Sequence, residues 1–228
     1  MLIYAHRGAS SDFAEGSKAA YEGAIAQGAD GFECDVRLTK DQQIICYHDR
    51  NTARLSKIDL EIAKTTYSEL KEKVDPYRFD QLLDLAIENK KDLVIEFKHP
   101  APTGGLIEKQ VHKLLNNKGA EIQKSGIGIT LISFSYLATM RNKRSEYKSG
   151  LLINNKLLAK LNPAPVVAAN IEIIRNDHAF VVDQQKRGKQ VIIWTVNNED
   201  DLTLCAELGI SAVITDNPAR ARKLLGYS

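Results

Sequence analysis

Cysteine is scarce in this chain: Cys34, Cys46 and Cys205 are the whole complement, and no two of them form a CxxC pair. An odd, scattered set argues against a disulfide framework or a structural zinc site and fits a reducing compartment. No run approaches the roughly 18 apolar residues of a transmembrane helix, so no stable membrane insertion is expected. Strong net charge is missing too. At +2 the balance marks neither a nucleic-acid binder nor a membrane-surface protein. Residues 1–8 have no basic region and no long apolar stretch, so no secretory leader is expected and the cytoplasm is the expected location.

What is present is ample apolar material. With 228 residues and 43% hydrophobic composition, the chain can bury one sizeable core. Short apolar runs at 2–5, 31–36, 93–97, 128–133, 149–153, 166–169, 190–196 and 212–215 read as strands. They are continuous rather than alternating, as in a parallel sheet covered on both faces. Amphipathic helix patterns fit between them at 17–27, 79–89, 106–117, 136–144, 177–187, 198–207 and 218–225. A weaker pattern lies at 154–161. Gly28, Gly119, Gly188 and Gly209 each follow a helix pattern, where a C′ glycine is common.

Eight strand–helix units in strict alternation predict an α/β fold, a (β/α)8 TIM barrel, with a Rossmann-like open sheet as the alternative. More than fifty residues separate the second and third strands. Residues 40–78 of that stretch are expected to form a small insertion between the second strand and the second helix. It should lie over the C-terminal face of the barrel, where active sites sit in this fold. No other long linker or close repeat interrupts the pattern, so residues 1–228 read as one domain.

Charged residues inside apolar strands carry the chemical information, because burying them costs free energy unless they are paired or bind a metal. His6-Arg7-Gly8 ends strand one. Glu33 and Asp35 sit two apart in strand two and share one face. Glu96 and Lys98 repeat that spacing at the end of strand three. These side chains should converge at the C-terminal mouth. Three carboxylates without cysteine make a hard oxygen site, better suited to Mg2+, Ca2+ or Mn2+ than to zinc. The structural alternative is a set of salt bridges to Arg7 and Lys98. His48 follows a short apolar run that can form a hairpin beside strand two, which would return it to the same mouth. Paired with His6 it would supply acid–base catalysis near neutral pH.

His-Arg-Gly at 6–8, Glu-x-Asp at 33–35, Thr-Lys-Asp at 39–41 and His-Asp at 48–49 together resemble the signature of glycerophosphodiester phosphodiesterases. Glu96-Phe97-Lys98, Ser133-Phe134, Trp194-Thr195-Val196-Asn197 and Thr215-Asp216-Asn217-Pro218 continue the resemblance in order along the chain. It implies metal-dependent hydrolysis of glycerophosphodiesters to sn-glycerol 3-phosphate and an alcohol, by way of a cyclic phosphate. It further implies Glu33, Asp35 and Glu96 as ligands of one divalent metal, Mg2+ or Ca2+ with Mn2+ a third candidate. His6 and His48 would be the general acid–base pair, and Arg7 and Lys98 would neutralise the phosphate oxygens. Trp194 would form pocket wall; as a plain core aromatic it would need no such role. The implied partner is a small-molecule glycerophosphodiester, with the chain a monomer or homodimer.

The family usually shows Pro-Glu-Asn-Thr after His-Arg-Gly, where this chain has Ala14-Glu15-Gly16-Ser17. Glu15 is retained, Ser17 can serve as the N-cap, and the Asn amide is lost. The compact insertion leaves less material for a deep pocket. Two rival readings are a lipid phosphodiesterase such as a lysophospholipase D and a silent barrel that binds a phosphorylated ligand. The first should show exposed apolar surface beside the mouth, although no amphipathic membrane helix is evident. Of the remaining histidines, His99 reads as a solvated loop residue and His112 and His178 as surface or interface residues. Residues 141–148 read as a solvated helix end.

Overall fold

The computed structural model describes residues 1–99 and 104–227. The chain runs β1 (Leu2–His6), α1 (Lys18–Ala26), β2 (Gly31–Leu38), β3 (Ile44–Cys46), α2 (Ala53–Ser56), α3 (Tyr67–Lys73), α4 (Phe79–Glu88) and β4 (Asp92–Phe97). It continues through α5 (Leu106–Asn117), α6 (Gly119–Ser125), β5 (Ile129–Ser133), α7 (Tyr136–Asn142), β6 (Lys148–Ile153), β7 (Val166–Asn170), α8 (Ile171–Asn176) and α9 (Ala179–Lys186). β8 (Gln190–Trp194), α10 (Glu199–Glu207), β9 (Ala212–Thr215) and α11 (Pro218–Leu224) complete it. Every strand except β3 pairs in parallel with both neighbours, and β1 pairs with β9 on one side and β2 on the other. The sheet therefore closes into the eight-stranded (β/α)8 barrel, and the open-sheet alternative is excluded.

Strand alternation divides the core into layers. Phe32, Cys34 and Val36 of β2, with Leu93, Ile95 and Phe97 of β4, pack outward against Tyr21 of α1 and Phe79, Leu82 and Leu83 of α4. Their inward neighbours join a separate interior cluster of Tyr4, Val94, Ile132, Leu152, Ala168, Ile192 and Ile214. One consequence fixes the active-site geometry. Glu33, Asp35 and Glu96 have the inward parity of their strands, so the barrel interior receives three carboxylates at its C-terminal end.

Between β2 and α4 the chain builds the insertion. β3 pairs antiparallel with β2 (Val36 opposite Cys46), and Ile45, Tyr47, Ile62 and Leu70 form a small core of their own. α3 opens with a capping box between Thr66 and Glu69. Cys34, Cys46 and Cys205 are buried free thiols.

The structure departs from the sequence expectations at several joints. Gly119 does not terminate α5; it opens α6, which ends at the left-handed Gly126. Two short helices back to back look like one helix plus loop when read from periodicity alone. The 177–187 pattern begins at Ala179, and α8, capped by Asn170, precedes it. The weak 154–161 pattern is a 3-10 helix over Lys156–Leu161. Gly28, Gly188 and Gly209 do take positive φ after their helices.

Candidate active site

The turn after β1 builds one wall of the site. Arg7 (φ 56) and Gly8 (φ 85) both adopt left-handed backbone, which Gly8 tolerates without strain. A Cβ at Gly8 would stand 2.5 Å from the Ala20 carbonyl carbon, so the motif needs glycine for space as well as for φ. The turn folds Arg7 back over β2. Its backbone N–H donates to the Glu33 carbonyl at 3.0 Å and to Glu33 Oε2 at 3.2 Å. Its Nε stands 2.8 Å from Asp35 Oδ2, and its Nη1 donates to Glu15 Oε1 at 3.0 Å.

Lys98, just past the end of β4, approaches from the other side. Its Nζ lies 2.7 Å from Glu96 Oε1 and 3.3 Å from Asp35 Oδ1. The salt bridges foreseen as the structural alternative are thus present alongside the carboxylate cluster. Glu33, Asp35 and Glu96 are all buried, and each offers an oxygen within 4.8 Å of the others. Burial first, then repulsion from Asp35 and Glu96, pushes the Glu33 carboxyl well above its ordinary range. The same causes, burial ahead of Asp35, raise Glu96 to about 7. Burial would raise Asp35 too, but Lys98 and Arg7 outweigh it and hold its carboxyl below the usual range. Two of the three therefore resist ionising together unless more positive charge arrives. Among the described residues the two Asp35 oxygens have only their ion pairs with Arg7 and Lys98 and accept no well-aligned hydrogen bond. This donor set fits a hard divalent cation.

The imidazoles are held in matching fashion. His6 Nδ1 is 2.7 Å from Asp216 Oδ1, just beyond β9, and His48 Nδ1 is 2.7 Å from Asp49 Oδ1. Each ring then presents Nε2, and both line one cavity. The surroundings differ. Asp216 also accepts from Ser10 Oγ at 3.0 Å and from Asn197 Nδ2 at 2.6 Å, both neutral donors. Burial would raise Asp216, yet these bonds, led by His6, bring it down to about 2. Asp49 is instead shared with the Arg54 guanidinium, which also grips Glu15 at 2.6 and 2.8 Å. Burial lowers the pKa of His48 and outweighs the pull of Asp35. The hairpin expected beside β2 is what delivers His48, and Arg37 of β2 clasps the His48 carbonyl at 2.7 and 3.0 Å.

The cavity over this floor measures about 110 Å3 and is lined by His6, Arg7, Glu33, His48, Glu96 and Lys98, with Ile132, Phe134, Leu152 and Trp194 as its apolar wall. Trp194 thus reaches the pocket wall. Its Nε1 donates to the Ala168 carbonyl at 3.0 Å, and its ring meets Phe134 edge-on at 5.6 Å. Seven of the eight residues singled out from sequence line this cavity, and Asp35 joins them through its ion pairs with Arg7 and Lys98.

Sequence reasoning gave no role to Asp216, Asn197, Arg54 or Arg37. A hint was available in Thr215-Asp216-Asn217-Pro218, since a carboxylate between a strand end and a Pro-initiated helix must face the mouth. Glu15 ties Arg7 to Arg54. Gly16 (φ 69) takes the position of the missing Asn, and Ser17 caps α1 by accepting from the Ala20 N–H at 3.2 Å, as expected. His99 is not solvated: its Nε2 lies 3.2 Å from Glu108 Oε1, which Arg141 also holds at 2.7 Å. Arg141 is therefore no free helix end, and His112 pairs with buried Asn142 at 3.1 Å between α5 and α7. No helix among the described residues is long and apolar enough to cross a membrane.

Fold and mouth together define an α/β-barrel enzyme. Residues 6–220 match the Glycerophosphoryl diester phosphodiesterase family, and the chain belongs to that family of hydrolases. A glycerophosphodiester phosphodiesterase of Caldanaerobacter subterraneus is 28% identical over 239 residues, spanning 95% of this chain and 94% of that protein. The solved structure of a Thermotoga maritima glycerophosphodiester phosphodiesterase shares the fold with a TM-score of 0.83 and 24% identity, covering 98% of both chains. An Oleispira antarctica phosphodiesterase, solved in complex with the product sn-glycerol-3-phosphate, has a TM-score of 0.81 and 21% identity over 99% of this chain and 97% of its own.

Proposed function

We propose that this protein hydrolyses glycerophosphodiesters to sn-glycerol 3-phosphate and an alcohol. The observation that carries this reading is the pair of carboxylate-backed imidazoles, His6 and His48, on one small cavity beside three buried carboxylates. The product bound to the Oleispira antarctica relative supports the substrate class. Glu33, Asp35 and Glu96 would hold one divalent ion, Mg2+ or Ca2+, with Mn2+ a further candidate. When bound, it supplies Lewis-acid polarisation of a phosphate oxygen and a template for the substrate.

The chain's own groups then divide the work. Arg7 and Lys98 flank the cavity and neutralise the phosphate oxygens. His48, kept neutral by burial and backed by a carboxylate already shared with Arg54, takes the proton of the attacking hydroxyl or water at Nε2. His6 is backed by Asp216, whose other donors, Ser10 and Asn197, are neutral. It gives the Nε2 proton to the departing alkoxide as the phosphorus–oxygen bond breaks; where the attacker is the glycerol hydroxyl, a water then opens the resulting cyclic phosphate to the monoester, with the two imidazoles in exchanged roles. A cavity near 110 Å3 is far below the roughly 300–1,000 Å3 of drug-sized sites, so it accommodates the glycerol phosphate half while the alcohol extends over the rim. Trp194 and Phe134 form the wall along which it leaves.

Release of glycerol 3-phosphate from glycerophosphocholine and glycerophosphoethanolamine, with Mg2+, Ca2+, Mn2+ or EDTA, tests the reading. Metal-dependent release is expected. Folded protein that releases none with any metal contradicts it.

A further inference from the structure

The rim of the mouth has two unlike sides. Beside β1, β8 and β9 it is polar, with Ser10, Glu15, Asn197, Asp216 and Arg220 around a second cavity of about 420 Å3. Beyond β5 and β6, which are adjacent strands, Phe134, Tyr136, Leu137, Leu157, Leu158 and Leu161 are each 40% to 65% exposed. Several large apolar side chains exposed on one sector mark an interaction surface rather than ordinary scatter.

The segment after β6 is built to hold its leucines outward. In Lys156-Leu157-Leu158-Ala159-Lys160-Leu161 only Ala159 is buried, which reverses the pattern expected of a loop sealing a core. The turn is pinned at both ends. Asn155 Oδ1 accepts from the Leu157 N–H at 2.9 Å, and Asn162 Nδ2 donates to the Val166 carbonyl at 2.7 Å. Lys156 and Lys160 interleave with the leucines, Lys156 resting 2.8 Å from Asp177 and Lys160 exposed.

We propose that this rim is a docking surface for a phospholipid bilayer containing anionic lipid. Leucines projecting from this turn insert at the acyl boundary, while the exposed Lys160 between them meets the negative head groups and Lys156 stays paired with Asp177. Phe134 belongs both to this exposed set and to the lining of the cavity, beside Trp194. Docking therefore turns the mouth toward the bilayer without any spanning element. A second copy of the chain fits less well, since an ordinary interface draws on roughly 20–30 residues a side.

The test is cosedimentation of the intact protein with vesicles of phosphatidylcholine alone and of phosphatidylcholine mixed with phosphatidylglycerol. The wild type should bind the mixed vesicles. The triple variant Leu137→Ser, Leu157→Ser, Leu161→Ser should bind at least tenfold more weakly, with its thermal melt preserved. Lys160→Glu should weaken binding to the mixed vesicles more than to the neutral ones. A wild type that ignores the mixed vesicles, or a triple variant that binds them equally, overturns the proposal. So does a wild-type dimer that the triple variant loses, seen without vesicle binding, which would assign the leucines to a second copy.

Discussion

His6 Nδ1 stands 2.7 Å from Oδ1 of Asp216, a residue 210 positions away in the chain. Closure of β9 onto β1 creates this contact, so the barrel's last strand completes a site that its first strand begins. Asp216 accepts from His6, Ser10 and Asn197 together, which fixes the orientation of the imidazole. Asp216→Asn keeps the shape and removes the charge. We expect turnover to fall at least tenfold with little change in KM. Steady-state kinetics check this; an unchanged turnover would remove Asp216 from any role in orienting His6.

Arg54 belongs to the insertion yet joins Asp49, behind His48, to Glu15, behind Arg7. Arg54→Ala releases both carboxylates. Asp49 would then serve His48 alone, so the pKa of His48 should rise and the corresponding limb of the pH–rate profile should move upward. Nuclear magnetic resonance titration of the His48 ring reads the shift directly, and an unmoved titration would show that Arg54 does not govern this imidazole.

Gly8→Ala tests the turn. The new Cβ meets backbone atoms of Ala20 at 2.5–2.7 Å on a residue with φ of 85°, so both crowding and strain oppose it. A loss of roughly 1–3 kcal/mol is expected from the strain alone, with overpacking adding to it. Urea unfolding measures this, and a variant within about 0.5 kcal/mol of wild type would mean that the turn relaxes freely.

Glu108 is buried where α5 meets the chain beyond β4, and it binds Arg141 and His99. Burial works to raise its carboxyl, but those partners prevail and bring it down to about 2, against an ordinary value of 4.5. A carboxylate depressed on folding adds stability above its unfolded pKa and loses that stability as pH falls through the folded one. Glu108→Gln should therefore cost stability at pH 7. Arg141 is partly open to solvent, so about 1–2 kcal/mol is expected. The difference from wild type should shrink between pH 4.5 and 2 in denaturant titrations. A constant difference across that window would detach the effect from Glu108 ionisation.

Much of this was legible in the chain. Continuous apolar runs mark a sheet covered on both faces, and the two-residue spacing of Glu33 and Asp35 already sets their shared face. His48 could be placed because a short apolar run after β2 has few options other than a hairpin. Long-range pairing was harder to read. Nothing local in Asp216 states that it meets His6, and Arg54 lies in a segment whose fold depends on the small core of Ile45, Tyr47, Ile62 and Leu70. His99 and Arg141 looked solvated because their shared partner, Glu108, is a helical carboxylate with no sequence mark of burial. The outward leucines of the segment after β6 were hidden for a related reason. Their spacing resembles a helix with a buried face, and only its fixed position on the rim shows which way it points.

The most direct measurement is the turnover of glycerophosphocholine by metal-loaded wild type, His6→Ala and His48→Ala, with metal affinity determined in parallel by calorimetry. Two imidazoles acting as acid and base predict a bell-shaped wild-type pH profile, a loss of about 10²–10⁴-fold in each variant, and metal affinity close to wild type. Near-normal turnover in either variant, or a wild-type profile flat from pH 5 to 9, would contradict the paired mechanism.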